Sequence, residues 1–361
     1  MTRPDPGGAQ RPAAFAHHAR CGRVFAPWLL VLSLLCSSCA SSPEPRQDPV
    51  PVVDQAQATP ATASGEDQSV MVAPVGSPEE PAAGEARHLA ELRQLTSTGR
   101  NAAARFAGDG SSLVFVTLRA PVPYQRLVQI QLGGDGEEIV PIPGRPGLQG
   151  VSLVEGGLIV VLGQDLGPAP RGVLEILAEG AAKPLVAASE TLDVADLAVA
   201  WGSRELFFSA RRDGRRALFV ARLDGSMLTR LTDGTFEDAW PAPTPDGTQV
   251  AFRRELEEEH SEIFLLERSS GAIRPLTGLG GRNWTPAMHP SGEQVVFGSG
   301  YYGERDHELM VVSTRGLQVE RVTQASGFDG QPCFDPRGEI LAWTSSRQGG
   351  VPQVWVARWL R

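Results

Sequence analysis

Asp238–Phe252 reads DAWPAPTPDGTQVAF. The same frame returns twice without a gap, as NWTPAMHPSGEQVVF over Asn283–Phe297 and DGQPCFDPRGEILAW over Asp329–Trp343. Each copy opens on Asn or Asp, reaches Gly nine positions later, and closes on a large aromatic residue five positions after that Gly. Weaker copies are anchored on Gly110, Gly156 and Gly202. Successive anchors from Gly110 to Gly338 are then 46, 46, 45, 45 and 46 residues apart. Six units at so constant a period are the signature of a repeat architecture.

Each unit predicts four short strands. The first leads into a turn such as Pro-Asp-Gly, Pro-Ser-Gly or Pro-Arg-Gly, where Pro presets φ and Gly supplies a positive φ. The second alternates β-branched and aromatic residues, with Phe115, Phe207, Phe252, Phe297 and Trp343 at the fifth position after Gly and Val161 in the second unit. One large ring per unit is what face-to-face packing of neighbouring sheets requires. An apolar third strand follows, then a short fourth carrying Arg230-Leu231-Thr232, Arg274-Pro275-Leu276-Thr277 or Arg321-Val322-Thr323. Four strands in about 45 residues is a β-propeller blade; the repeats of a stacked β-solenoid are much shorter. The last unit ends at Arg361 after its third strand, while LAELRQLT at Leu89–Thr96 matches the fourth-strand pattern and has no blade of its own. The expected fold is therefore all-β: a six-bladed propeller closed by an N-terminal strand that completes the last blade.

Upstream of the repeats, residues 1–38 read as a signal peptide of the lipoprotein type. Arg3, Arg11, Arg20 and Arg23 precede an apolar run from Val24 to Leu35, about a dozen residues and short for a bilayer span. The stretch from Leu35 to Ser42, LCSSCASS, resembles a bacterial lipobox. Cys39 is the expected lipidation site, with Cys36 standing where a Leu is usual; the other reading is a plain signal peptide cut nearby. Residues 39–86 are rich in Pro, Ala, Ser, Gln and Glu, a composition that cannot bury enough apolar surface to order itself, and predict a flexible tether. Residues 87–361 form the propeller. The four Cys are at 21, 36, 39 and 333, so the propeller has one thiol and no disulfide framework. Cys333 reads as a small core residue. The net charge of −9, from 42 acidic and 33 basic residues, argues against a nucleic-acid partner.

No catalytic constellation stands out. The six His have no metal-ligand spacing, and there is no nucleophile elbow, CxxC or phosphate-binding loop, so no metal and no cofactor are expected. One pattern does point to a site. Nine residues before the turn Gly stand Asn101, Asp193, Asp238, Asn283 and Asp329, at the start of the innermost strand and hence around one mouth of the central channel. Such side chains either cap the turn entering their own strand or bind a ligand, and both roles are compatible. The loops between second and third strands share that mouth. They hold all three tyrosines, Tyr124, Tyr301 and Tyr302, the acidic run Glu255–Glu259, and the mixed run Glu304-Arg305-Asp306. Tyrosines and charges around a concave mouth suit a protein or peptide partner.

These motifs carry a family resemblance. Asp238…Pro245-Asp246-Gly247, Asn283…Pro290-Ser291-Gly292 and Asp329…Pro336-Arg337-Gly338, with their Arg-Leu-Thr fourth strands, resemble the WD40-like repeats of the TolB propeller family. The resemblance covers residues 88–361 and is strongest in the last three units; the α/β domain that precedes the TolB propeller has no counterpart. It implies a periplasmic, non-enzymatic scaffold that binds an envelope protein or peptide at the channel mouth. The lipobox resemblance, with Ala40 after the Cys, implies a lipid anchor in the outer membrane, a departure from the TolB pattern, and the expected state is a monomer. The alternative from another class is a propeller hydrolase, lyase or glycan-binding protein using channel carboxylates such as Asp193, Asp238 and Asp329.

Overall fold

The computed structural model describes residues 79–360 apart from 121–124, 133–136, 141–149, 154–158, 165–171, 179–180, 185–191, 213, 304–305 and 317. The signal segment, Cys39, Tyr124 and Glu304-Arg305 lie outside the described residues.

In chain order, β1 (Leu89–Gln94) is followed by a meander of β2 (Arg100–Phe106), β3 (Ser112–Leu118), β4 (Arg126–Gln131) and β5 (Glu137–Val140). The second meander holds β6 (Gly150–Leu153), β7 (Ile159–Gln164), β8 (Gly172–Ala178) and β9 (Ala181–Pro184). The third holds β10 (Asp193–Ala200), β11 (Glu205–Arg211), β12 (Arg216–Arg222) and β13 (Thr229–Arg230). The fourth has β14 (Glu237–Pro243), β15 (Gln249–Glu257), β16 (His260–Glu267) and β17 (Ala272–Pro275), and the fifth β18 (Asn283–Met288), β19 (Gln294–Ser299), β20 (Glu308–Ser313) and β21 (Val319–Arg321). The chain ends with β22 (Asp329–Phe334), β23 (Ile340–Ser345) and β24 (Gln353–Trp359). These make six four-stranded sheets, every neighbouring pair antiparallel, and the sixth runs β22-β23-β24-β1. The first strand of each sheet touches the first strand of the next, from β2 through β6, β10, β14, β18 and β22 and back to β2. This is an all-β propeller, with the first strands around its axis.

Local chemistry explains each sheet. The turn glycines Gly110, Gly247, Gly292 and Gly338 have φ of 74°, 68°, 74° and 71°, a left-handed geometry that L side chains rarely adopt. The aromatic residues at the fifth position, Phe115, Phe207, Phe252, Phe297 and Trp343, are all fully buried. Apolar clusters bridge successive sheets: Ile263 and Leu265 of β16 pack with Val295 and Phe297 of β19, and Phe115 of β3 packs with Cys333 and Val354 of the last sheet. Each ring withdrawn from water contributes roughly 1.5–3 kcal/mol.

The fourth strands share one contact. The hydroxyls of Thr232, Thr277 and Thr323 accept the amides of Leu218, Ile263 and Leu309 at 3.0, 2.9 and 2.8 Å. In the last sheet Thr96, just past β1, accepts the amide of Val354 at 2.9 Å. The N-terminal segment thus reproduces the fourth-strand contact as well as its pairing. Residues 79–86 also contact the propeller: Glu79 bridges Leu92, and Glu85 is buried against Arg347 and the Gln324 amide. A buried ion pair holds this stretch in place, which a polar composition alone does not signal.

Candidate functional site

First strands begin, second strands end and third strands begin at one end of the propeller, which we call the mouth. The Asn and Asp residues of the repeat stand at this end but point into the joints between sheets. Asn101, Asp238, Asn283 and Asp329 are all buried. Asn283 donates to the Ser261 carbonyl at 2.9 Å and to Glu262 Oε2 at 3.2 Å, and accepts from the Ser299 hydroxyl at 2.7 Å. Asn101 donates to Gln353 Oε1 at 2.7 Å, and that oxygen also accepts the Thr96 hydroxyl. Glu262 and Glu308 take the hydroxyls of Thr277 and Thr323 in the same way. A Thr at or just past the fourth strand, a residue near the start of the third strand and the Asx of the following sheet therefore come together as a clip at these joints. Asp238 faces Thr232 and receives both Nε and Nη2 of Arg254, at 2.7 and 2.9 Å, beneath the rings of Phe236, Phe252 and Phe264.

The clip between the fifth and sixth sheets concentrates charge. Burial pushes the Glu308 carboxyl up to about 7, ahead of the lowering effects of Thr323 and Arg321, and the neighbouring Asp329 adds to the rise. Burial likewise raises Asp329, whose Oδ1 accepts Trp343 Nε1 at 2.7 Å and Arg347 Nη2 at 3.4 Å. Arg347 lies over Trp343 and Trp355 and reaches Glu85 at 3.1 Å. Among the described residues no group of three or more His, Cys, Asp or Glu is arranged to hold a metal.

The accessible features of the mouth are aromatic. Inner strands β2, β14, β18 and β22 carry a bulge in which Ala103, Trp240, Thr285 and Gln331 adopt φ of 57°, 53°, 44° and 54°. Strained, non-glycine backbone at one repeated position next to the axis is the kind found at binding sites. Trp240, Trp284, Phe236 and Phe328 are half-buried. Trp284 lies on Gly298, where an added Cβ would meet the indole at 3.0 Å, and Phe328 lies on Gly330, at 2.6 Å. His307 sits edge-on between Trp284 and Phe328, its basicity lowered by burial and by Arg282. At the rim Tyr301 and Tyr302 are 56% and 45% exposed and pack edge to face, with Arg321 4.1 Å above Tyr302.

The third sheet departs from the repeat frame. Its turn glycine, Gly202, lacks a left-handed φ, and the turn between β10 and β11 is tighter. On the rung that carries Ala239, Trp284 and Gly330 in later sheets stands Asp196, paired with Ser209. Asp193 lies three residues earlier, half-buried, opposite Arg211 and 3.7 Å from Arg216. Counting nine residues back from Gly therefore selects Asp193 and passes over Asp196, the buried inner-strand acid. Spacing also passed over Arg254, Glu85 and the Trp and Phe rim. The Trp or Phe within two residues of Asp238, Asn283 and Asp329 was the available signal for the last of these.

Fold and mouth together define a β-propeller with an aromatic, charged rim. No family model matches the chain. It is similar to a protein TolB homolog of Chlorobium luteolum, 29% identical over 158 residues, or 43% of this chain and 34% of that protein. The chain thus spans about a third of that relative's length. Among solved structures, the putative TolB from Agrobacterium tumefaciens superposes with a TM-score of 0.54 at 18% identity, covering 72% of this chain and 90% of that one. A gluconolactonase from Xanthomonas campestris superposes at 0.56 with 16% identity, covering 79% and 95%. At such identities these two superpositions speak for the fold alone.

Proposed function

We propose that this chain is a TolB-like, six-bladed propeller of the bacterial periplasm, closed by β1, that binds a protein or peptide at its mouth without catalysing a reaction. A signal peptide over residues 1–38, a lipid on Cys39 and the tether that follows would hold it at the outer membrane, as a monomer. A flexible tether of this length reaches a few tens of ångströms. The observation that carries the binding role is the rim itself. Tyr301 and Tyr302 are exposed together, and Trp240, Trp284 and Phe328 stand half-buried at the mouth ends of the inner strands. Amphipathic aromatic residues of this kind are enriched at protein interfaces. The buried Asx residues act in this reading as clips that hold the rim, not as ligands.

Crosslinked capture from the native envelope, comparing the wild type with Tyr301→Ala/Tyr302→Ala, tests it. Loss of a captured protein in the variant is expected. Equal recovery would overturn the mouth reading and shift attention to the opposite end. There a polar groove of about 940 Å³ runs between the fourth and fifth sheets, lined by Asp246, Glu267, Arg274 and Glu293.

A further inference from the structure

At three joints of the mouth a residue near the start of a third strand meets the Asx of the following sheet. The pairs are Gln353 with Asn101, Glu262 with Asn283, and Glu308 with Asp329. The first is neutral and the second holds one acid. Among the described residues only the third of these pairs sets carboxyl against carboxyl. Both acids are buried, and so is Glu85, which shares Arg347 with Asp329 at 3.1 and 3.4 Å. Three buried carboxyl groups thus meet two guanidinium groups, Arg347 and Arg321. A buried charge without a counter-ion is strongly unfavourable, and uptake of a proton removes it.

Glu308 is the member placed to hold that proton. Arg347, which serves Glu85 and Asp329, is 6% exposed, whereas Arg321, which serves Glu308, is 25% exposed and more screened by water. Arg321 is also divided among several contacts. Its Nε donates to the Thr323 carbonyl at 2.8 Å, its Nη2 bonds Glu308 Oε1 and lies 4.0 Å from Asp306, and its guanidinium covers the Tyr302 ring. Burial raises the Glu308 carboxyl to about 7, with Asp329 adding to the rise. One guanidinium therefore ties a buried titrating acid to an exposed tyrosine of the rim.

We propose that this joint is a proton-operated catch: ionised Glu308 draws Arg321 inward with Tyr302 seated on it, and protonated Glu308 slackens that hold, so that the tyrosine face of the rim changes with pH. The proposal rests on the mouth reading above and describes its regulation. Arg321 stays charged throughout, and what changes is its bond to Glu308, which is charged at both ends above about pH 7 and at one end below it. The other charged or titratable groups around Glu308 are Asp306 and His307 ahead of β20, Asp329 opening β22, and Arg347 and Glu85 beyond Asp329. His307 is itself faced by Arg282, and burial lowers it, so it titrates below the range of Glu308.

The test places 4-fluorophenylalanine at position 302 of the full chain, a ring with no phenol to titrate, and follows its fluorine resonance from about pH 5 to pH 8. A single titration with its midpoint near 7 is expected in the wild type. Glu308→Gln is expected to abolish it, and His307→Gln to keep it. Asp329→Asn should lower the midpoint by about one pH unit, since a like charge is removed. Gln and Asn at these two places copy Gln353 and Asn101, which the neighbouring joint already carries. A resonance that does not move over this range overturns the proposal, as does a titration that survives in Glu308→Gln or disappears in His307→Gln. The readout needs no partner. A flat resonance beside capture lost from Tyr301→Ala/Tyr302→Ala would leave the mouth reading standing and remove this one. A titrating resonance beside equal capture would support the catch and remove the mouth reading.

Discussion

Gly338 shows how closely one residue can be specified. Its φ of 71° disfavours any side chain, and an added Cβ would come within 2.3 Å of His289 Nε2. That nitrogen lies 3.1 Å from the Gly338 carbonyl, and His289 Nδ1 accepts the Ser291 amide, so the ring joins the turns of the fifth and sixth sheets. Gly338→Ala is expected to cost about 1–3 kcal/mol in chemical denaturation. His289→Ala should recover only the steric part of that loss. Cys333 makes a second test at this scale. Its thiol is buried and pushed up to about 11, so it is expected to resist thiol-reactive dyes in the native protein and to react fully in denaturant. Glu308 gives a pH dependence. Its folded pKa of about 7 lies above the usual 4.5, so folding favours the protonated carboxyl. That stabilisation is complete below the unfolded value and is lost as pH rises through about 7. The melting temperature of the wild type should therefore fall from pH 5 to pH 8 by more than that of Glu308→Gln. Of these residues Gly338 was legible in the sequence as a turn glycine and Cys333 as a small core residue, while Glu308 was not. The carboxyl shift comes from burial at the joint, opposed by Thr323 and Arg321 and reinforced by Asp329, all brought there from other strands and from the next sheet.

At the scale of elements, the joint between sheets is the unit that matters. Asp238 and Arg254 form a buried bidentate pair under three aromatic rings, and removing one partner leaves the other charge uncompensated. Asp238→Ala is expected to destabilise the chain by about 3–5 kcal/mol in urea unfolding. Any loss of partner binding in that variant would then report folding, whereas Tyr301→Ala/Tyr302→Ala should leave the unfolding midpoint unchanged. The repeat frame made the strands, turns and core rings readable, because Pro, Gly and the aromatic residue recur at fixed positions with one physical role each. It could not show which way the Asx side chains face. Capping a turn and clipping two sheets demand the same residue types, and only the position of Glu262, Glu308 and Gln353 across the joint distinguishes them. The third sheet escaped the frame for a related reason. Its turn is one residue shorter and its inner-strand irregularity falls nearer the mouth, between Val194 and Asp196, so a count from Gly202 selects Asp193 and passes over Asp196.

For the whole molecule, the place of β1 beside β24 matters most. The pattern LAELRQLT was readable because its final Thr does the work of Thr232, Thr277 and Thr323. The docking of residues 79–88 was not, since it turns on one buried glutamate in a polar stretch. Together they make the sixth sheet the only one of the six built from both ends of the chain. This gives the fold a mechanical polarity. Tension applied through the N-terminal side first meets Glu79 and the Glu85–Arg347 pair, and then peels β1 from β24 starting at Leu89. A pull on the N-terminal side would thus unseat Arg347, at the edge of the mouth, before any other sheet is disturbed. The edge of the mouth and the N-terminal attachment of the sixth sheet then depend on the same few residues.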